Sequence, residues 1–152
     1  MNTQASTKPN LIFSILSNKC PRCRRGDLFI QNDAYKLKGL MKMNEHCPVC
    51  GQTTDMEPGF YYGTSYVSYA LAISISVATF IAWWLLIGFS FQDNRFFWWI
   101  GINAAILIFL QPPLMRISRT IWLYFFIHYS PRWKEGDLVK AERVNEELKN
   151  AW

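Results

Sequence analysis

Two long stretches of this chain lack any charged side chain. Tyr66 to Phe91 has no Asp, Glu, Lys or Arg over 26 residues, and Phe96 to Met115 has none over 20. Cysteine is absent outside two Cys-x-x-Cys pairs, and there are only two histidines. There is no Ser/His/Asp set, no Gly-rich phosphate loop and no catalytic carboxylate pair. Each absence removes a class of function. Proton-coupled transport uses an ionisable group inside the bilayer, which neither stretch supplies. Haem ligation would rest on His128 alone, without a partner motif. His46, beside Cys47, reads as solvated surface before it reads as a donor to a metal-bound sulfur. The basic residues form no stripe with interleaved aromatics, which argues against nucleic acid as a partner. Asp55 and Glu57 lie two apart, a spacing that suits the positive end of a helix better than acid–base work.

The four cysteines are Cys20, Cys23, Cys47 and Cys50, in the runs Cys20-Pro21-Arg22-Cys23 and Cys47-Pro48-Val49-Cys50. A two-residue gap lets one backbone turn aim both sulfurs at one ion, and proline after the first cysteine pre-sets φ for that turn. Gly26 and Gly51 follow the pairs, where a positive φ lets the chain leave the knuckle. The spacing predicts a tetrahedral four-thiolate site for one structural zinc ion. Thiol–disulfide cycling and iron–sulfur ligation are the alternatives for the same residues. Residues 1–60 hold eight Lys/Arg and five acids. Lys19, Arg22, Arg24 and Arg25 then serve chiefly to offset four thiolates, and they can also meet anionic headgroups.

Each uncharged stretch reaches the roughly 20 residues needed to cross a bilayer core. The expected fold is a membrane α-helical hairpin of two transmembrane helices, with a small, β-poor, metal-stabilised N-terminal zinc ribbon and a charged C-terminal helix. Its expected segments are a flexible N-terminus with a short amphipathic helix (1–18), the ribbon (19–57), an aromatic lead-in (58–65), transmembrane helix 1 (66–91), transmembrane helix 2 (96–115), an interfacial helix (116–130) and the charged helix (131–152). Leu11 to Leu16 is too short for a signal-peptide core and reads as a helix on the membrane or on the ribbon. Eight Lys/Arg precede the first span, Arg95 alone lies between the spans, and seven follow the second. That bias puts both ends in the cytoplasm, where reduced thiolates also persist best.

Within the ribbon, Leu28 to Ile30 and Lys36 to Lys38 look like strands, with Tyr35, Leu37, Leu40, Met41 and Met43 as a small core. Such a core is too thin to hold some 40 residues folded alone, so the metal should supply much of the stability. Pro58 suits the first turn of a helix. Phe60, Tyr61, Tyr62, Tyr66 and Tyr69 suit one aromatic belt, and Phe96 to Trp99 the opposite one. Ala70, Ser74, Ala78 and Ala82 recur every four residues, and Gly101 and Ala105 repeat the spacing. These stripes should pack the hairpin or a homodimer. Asn103 and Gln111 should bond across to Ser74, Ser76 or Thr79. Gln111-Pro112-Pro113 should end or kink the second span.

The runs Cys20-Pro-Arg-Cys-Arg-Arg-Gly-Asp-Leu-Phe29, Cys47-Pro-Val-Cys-Gly51, Asp55-Met-Glu-Pro-Gly-Phe-Tyr-Tyr-Gly63 and Tyr66-Val-Ser-Tyr-Ala70 resemble, in that order, the bacterial membrane proteins of the domain of unknown function 983 family. The likeness covers about residues 11–130 and is closest to a Bacteroidota-like variant. It implies architecture, a bacterial cytoplasmic-membrane location and, through the neighbourhood of oxidase assembly factors, a role in respiratory assembly. The functional expectation is a non-enzymatic adaptor or assembly factor whose partners are the bilayer and a membrane protein. A thiol redox or metal-handling protein, and a small lipid-binding or transport subunit, are the competing readings.

Overall fold

The computed structural model describes residues 9–36, 38–56, 59–88, 93–134 and 138. Residues 1–8 of the expected flexible N-terminus, Leu37, Glu57, Pro58 and, Leu138 excepted, the expected charged helix from residue 135 on therefore lie outside the described residues, while Pro131 to Lys134 are turn rather than helix. Among the described residues there are three α-helices: α1 (Leu11–Leu16), α2 (Thr64–Ile87) and α3 (Arg95–Phe126). A 3₁₀ turn over Phe60–Gly63 leads into α2. No β-strand occurs among the described residues. The ribbon has three isolated bridges instead, Lys19 with Asp27, Phe29 with Met43 and His46 with Thr53. Phe29 thus pairs with Met43, and Lys36 and Lys38 are loop.

At about 1.5 Å per residue, α2 is about 36 Å long and α3 about 48 Å. Both are long and apolar enough to cross a membrane. Helix α2 stops at Ile87, short of the expected Phe91, because Gly88 turns to φ +80°. Arg95 reaches back and donates from Nη1 to the Ile87 carbonyl at 3.0 Å, closing the orphaned end of α2.

The two long helices pack antiparallel, and a polar clasp sets their rotation. Thr79 Oγ1 donates to Asn103 Oδ1 at 2.9 Å, and Asn103 Nδ2 donates to Ser76 Oγ at 3.2 Å. This is the interhelical bonding expected of Asn103. Gln111 lies exposed, and Ser74 bonds back within its own helix to the Ala70 carbonyl. With Ser76 and Thr79 facing α3, the residues about half a turn away face outward. Ala70, Ser74, Ala78 and Ala82 are all exposed, as are Gly101 and Ala105. The small-residue stripes do not pack the hairpin; they line its outside.

Helix α3 does not end at Pro112 and Pro113, which lie inside it. Neither residue can donate an amide hydrogen, so the carbonyls of Ile108 and Phe109 lose their helical partners. The Tyr35 hydroxyl donates to the Phe109 carbonyl at 3.3 Å, and the two rings sit 5.3 Å apart. A donor from the ribbon replaces one that proline removed, and the helix runs on to Phe126. The expected transmembrane and interfacial helices are therefore one rod.

The far end of that rod is the floor of the ribbon. Leu123 and Ile127 join Leu28, Phe29, Met56, Cys20, Cys23 and Cys47 in one buried cluster, with Met43 packed against it. The expected small core is corrected accordingly. Tyr35 lies half exposed against α3, and the apolar surface the ribbon lacks comes from α3. Phe60 likewise packs on Trp122 and Phe126, and Trp122 Nε1 donates to the Phe60 carbonyl at 2.8 Å. Tyr62, Tyr66 and Tyr69 are exposed.

Candidate metal centre

Two short turns of nearly the same shape carry the cysteines. In the first, the Arg24 amide donates to the Cys20 carbonyl at 2.7 Å; in the second, the Gly51 amide donates to the Cys47 carbonyl at 2.9 Å. The residue after the second cysteine is left-handed in both turns, with φ 55° at Arg24 and 70° at Gly51. The left-handed position in the first knuckle is therefore Arg24 and not Gly26. Gly26 is required for a different reason. A Cβ there would lie 2.3 Å from Cys47 Sγ and 3.3 Å from Val49 Cγ2. Only a bare backbone lets the second knuckle close over the first.

The four sulfurs lie within 4.8 Å of one another. Cys20 Sγ is 3.7 Å from Cys50 Sγ, and Cys23 Sγ is 3.8 Å from Cys47 Sγ. A tetrahedron with metal–sulfur bonds of about 2.3 Å has edges of about 3.8 Å. The sulfurs are thus spaced for one ion, and a multi-iron core would hold them farther apart. Cys20, Cys23 and Cys47 are buried and Cys50 is partly so. The Gly26 amide donates to Cys23 Sγ at 3.5 Å, an amide–sulfur contact of the kind that stabilises a metal-bound thiolate. With no ion bound, the thiols compete for charge. Hydrogen bonds from Cys20 and Cys47 hold Cys23 well below the ordinary thiol range. Its neighbours Cys23 and Cys47, and then burial, push Cys20 up. Burial pushes Cys50 up to about 11.

Around this centre the basic residues are occupied. Lys19 pairs with Asp27 at 2.5 Å. Arg22 is buried, and its carbonyl accepts from the Ser130 amide at 3.1 Å. Arg24 donates from Nη1 to the Pro9 carbonyl at 3.0 Å and stacks over Tyr129 at 4.7 Å. Arg25 lies over Trp133. They surround the thiols, and Arg22, Arg24 and Arg25 tie the ribbon to the segment after α3. His46 and His128 are both exposed.

Sequence reasoning missed how the ribbon is held. Arg116 is 1% exposed; its Nε donates to the Leu40 carbonyl and its Nη1 to the Gln31 carbonyl, both at 2.9 Å, with the guanidinium over the Phe29 ring. Arg119 donates from Nη1 to the Met41 carbonyl at 3.0 Å and stacks on Tyr61 at 4.9 Å. Thr120 Oγ1 donates to Asn18 Oδ1 at 2.8 Å, and the Tyr124 hydroxyl donates to the Lys19 carbonyl at 3.2 Å. The available signal was the arginine pair three apart on one face of an otherwise apolar helix.

The family model described as "Protein of unknown function (DUF983)" matches residues 37–129. The matched segment takes in the second knuckle, α2 and α3, and starts after Cys20 and Cys23. No curated protein and no solved structure matches the chain.

Proposed function

From the premise that the chain belongs to the DUF983 family, we propose that it is a membrane-anchored, non-enzymatic adaptor that presents a zinc-clipped ribbon to a partner in a membrane complex, a respiratory one being the case the sequence likeness favours. In this reading α2 and α3 cross the bacterial cytoplasmic membrane as a hairpin with both chain ends in the cytoplasm. Cys20, Cys23, Cys47 and Cys50 hold one zinc ion. A closed four-sulfur set leaves no open position for water or substrate, so the ion would act as a clip.

The observation that carries this reading is the seat of the ribbon on α3. Arg116, Arg119 and Tyr124 make side-chain bonds to ribbon residues from Lys19 to Met41, and Thr120 bonds to Asn18 just before the ribbon. Such anchoring fixes the orientation of the ribbon with respect to the helices, as a presenting scaffold requires. Crosslinking in membranes followed by affinity purification tests it. A co-purifying membrane protein that is lost with Cys47→Ser, while the variant chain stays in the membrane, is the expected outcome. Thiol trapping that captures a mixed disulfide at either pair would instead establish a redox protein and overturn the adaptor reading.

The outward small-residue stripe favours one addition, a homodimer through Ala70, Ser74, Ala78 and Ala82. Small side chains let helices approach closely where lipid gives no hydrophobic push.

A further inference from the structure

The loop between the knuckles has features the adaptor reading does not use. We propose that a cleft beside it binds the phosphodiester headgroup of an anionic phospholipid in the leaflet facing the ribbon. The inference rests on the bilayer reading of α2 and α3 given above.

Depth is the first observation. The uncharged part of α3 ends at Met115, and Phe109 lies six residues inside that end. At about 1.5 Å per residue this is about 9 Å along the helix. The Tyr35 hydroxyl bonds to the Phe109 carbonyl, so the tip of the loop reaches that depth. If α3 spans the bilayer, the loop lies at the boundary between headgroups and acyl chains. Its composition fits that boundary. Ile30 and Tyr35 are exposed apolar bodies, and Lys36, Lys38 and Lys42 carry long stems that can lie along lipid with the ammonium among phosphates.

Shape and charge are the second. A cleft of about 370 Å³ is lined by Ile30, Gln31, Lys38, Gly39 and Lys42. It is held open by backbone. Gly39 turns at φ +83°, its carbonyl accepts from the Lys42 amide at 3.0 Å, and the Ile30 amide donates to the Lys42 carbonyl at 3.2 Å. Arg116 and Arg119 pin the same loop from beneath. Asp33 is the only acid between residues 31 and 42. Two lysines on one small cleft, at phosphate depth, complement a single negative headgroup. Lys19, Arg22, Arg24 and Arg25, by contrast, are engaged around the thiols.

The test uses the full-length protein in detergent, with phosphatidylglycerol or phosphatidylcholine added at equal concentration and lipid retention read by native mass spectrometry. Phosphatidylglycerol should be retained preferentially. Each Lys near a membrane surface contributes about a fivefold preference, so the double variant Lys38→Gln/Lys42→Gln should lower it about 25-fold. Lys134→Gln, outside the cleft, should leave it unchanged. Equal retention of the two lipids, an unaffected double variant, or an equal loss with Lys134→Gln would each overturn the inference. So would a double variant that alters only self-association, since the cleft would then be a contact between copies. Alkaline extraction of membranes separates the two readings: release of the chain defeats the bilayer reading itself, whereas a retained chain without lipid preference defeats the headgroup site alone.

Discussion

Gly26→Ala should dismantle the metal site without adding any charge or polar group. The new Cβ would stand 2.3 Å from Cys47 Sγ. Nonbonded heavy atoms rest about 3.5–4.0 Å apart, so the sulfur or the Gly26 backbone must yield by about 1.2 Å or more. Metal–ligand distances tolerate about 0.2 Å. The required displacement is several times larger, and Val49 Cγ2 at 3.3 Å blocks an easy retreat of the methyl group. One of four ligands should therefore be lost, and affinity should fall by more than the 10–100-fold typical of changes that only support a ligand. Gly51→Ala is the matched control. Nothing lies within 4 Å of its Cβ, but its φ is +70°, so it carries only backbone strain of about 1–2 kcal/mol. The assay is metal stoichiometry and chelator competition on both proteins, with cobalt(II) absorption reporting tetrahedral thiolate geometry. Gly51→Ala should bind one equivalent with at most about 30-fold weaker affinity. If Gly26→Ala binds one ion as tightly as the parent, Cys47 Sγ does not sit against Gly26, and the packing of the two knuckles described above is wrong.

Three further outcomes follow from the same geometry. Without metal, Cys50 is pushed up to about 11 and Cys20 upward as well, so both are thiols at pH 7. Ion binding must expel at least those protons, and affinity should fall about a hundredfold per unit as pH drops through neutrality; chelator competition at pH 6 and 7 that shows tenfold or less would contradict this. Arg116→Ala strands the Gln31 and Leu40 carbonyls, two charge-assisted bonds worth about 1.5–3 kcal/mol each. Amide hydrogen exchange in residues 31–42 should accelerate strongly, and Arg116→Lys should recover part of the protection. Gly63→Ala would place a Cβ 2.2 Å from the Trp122 ring. It should part the start of α2 from α3 and lower thermal stability, while metal stoichiometry stays at one.

The cysteine quartet and the paired apolar helices were legible because each rests on a local pattern. Two Cys-x-x-Cys turns shape themselves, and a run of about 20 mostly apolar residues favours a helix. What could not be read were relations between segments. The stripe from Ala70 to Ala82 marks a face of α2 but not the direction it points. The bonds from Asn103 to Ser76 and Thr79 decide that, and they turn the stripe outward. Pro112 and Pro113 free the Ile108 and Phe109 carbonyls, and the donor that reaches Phe109 is Tyr35, 74 residues earlier. Gly26 and Gly51 look equivalent in sequence. One is needed for space beside a sulfur and the other for its φ, while the left-handed turn of the first knuckle falls on an arginine.

Because α3 is unbroken, it is also a lever. The clasp at Asn103 lies 20 residues from Leu123, which shares one buried cluster with the thiols. That arm is about 30 Å long, so a tilt of about ten degrees pivoting at the clasp would swing the sulfurs by about 5 Å. A change in the helices at mid-depth would then be displayed, enlarged, at the ribbon.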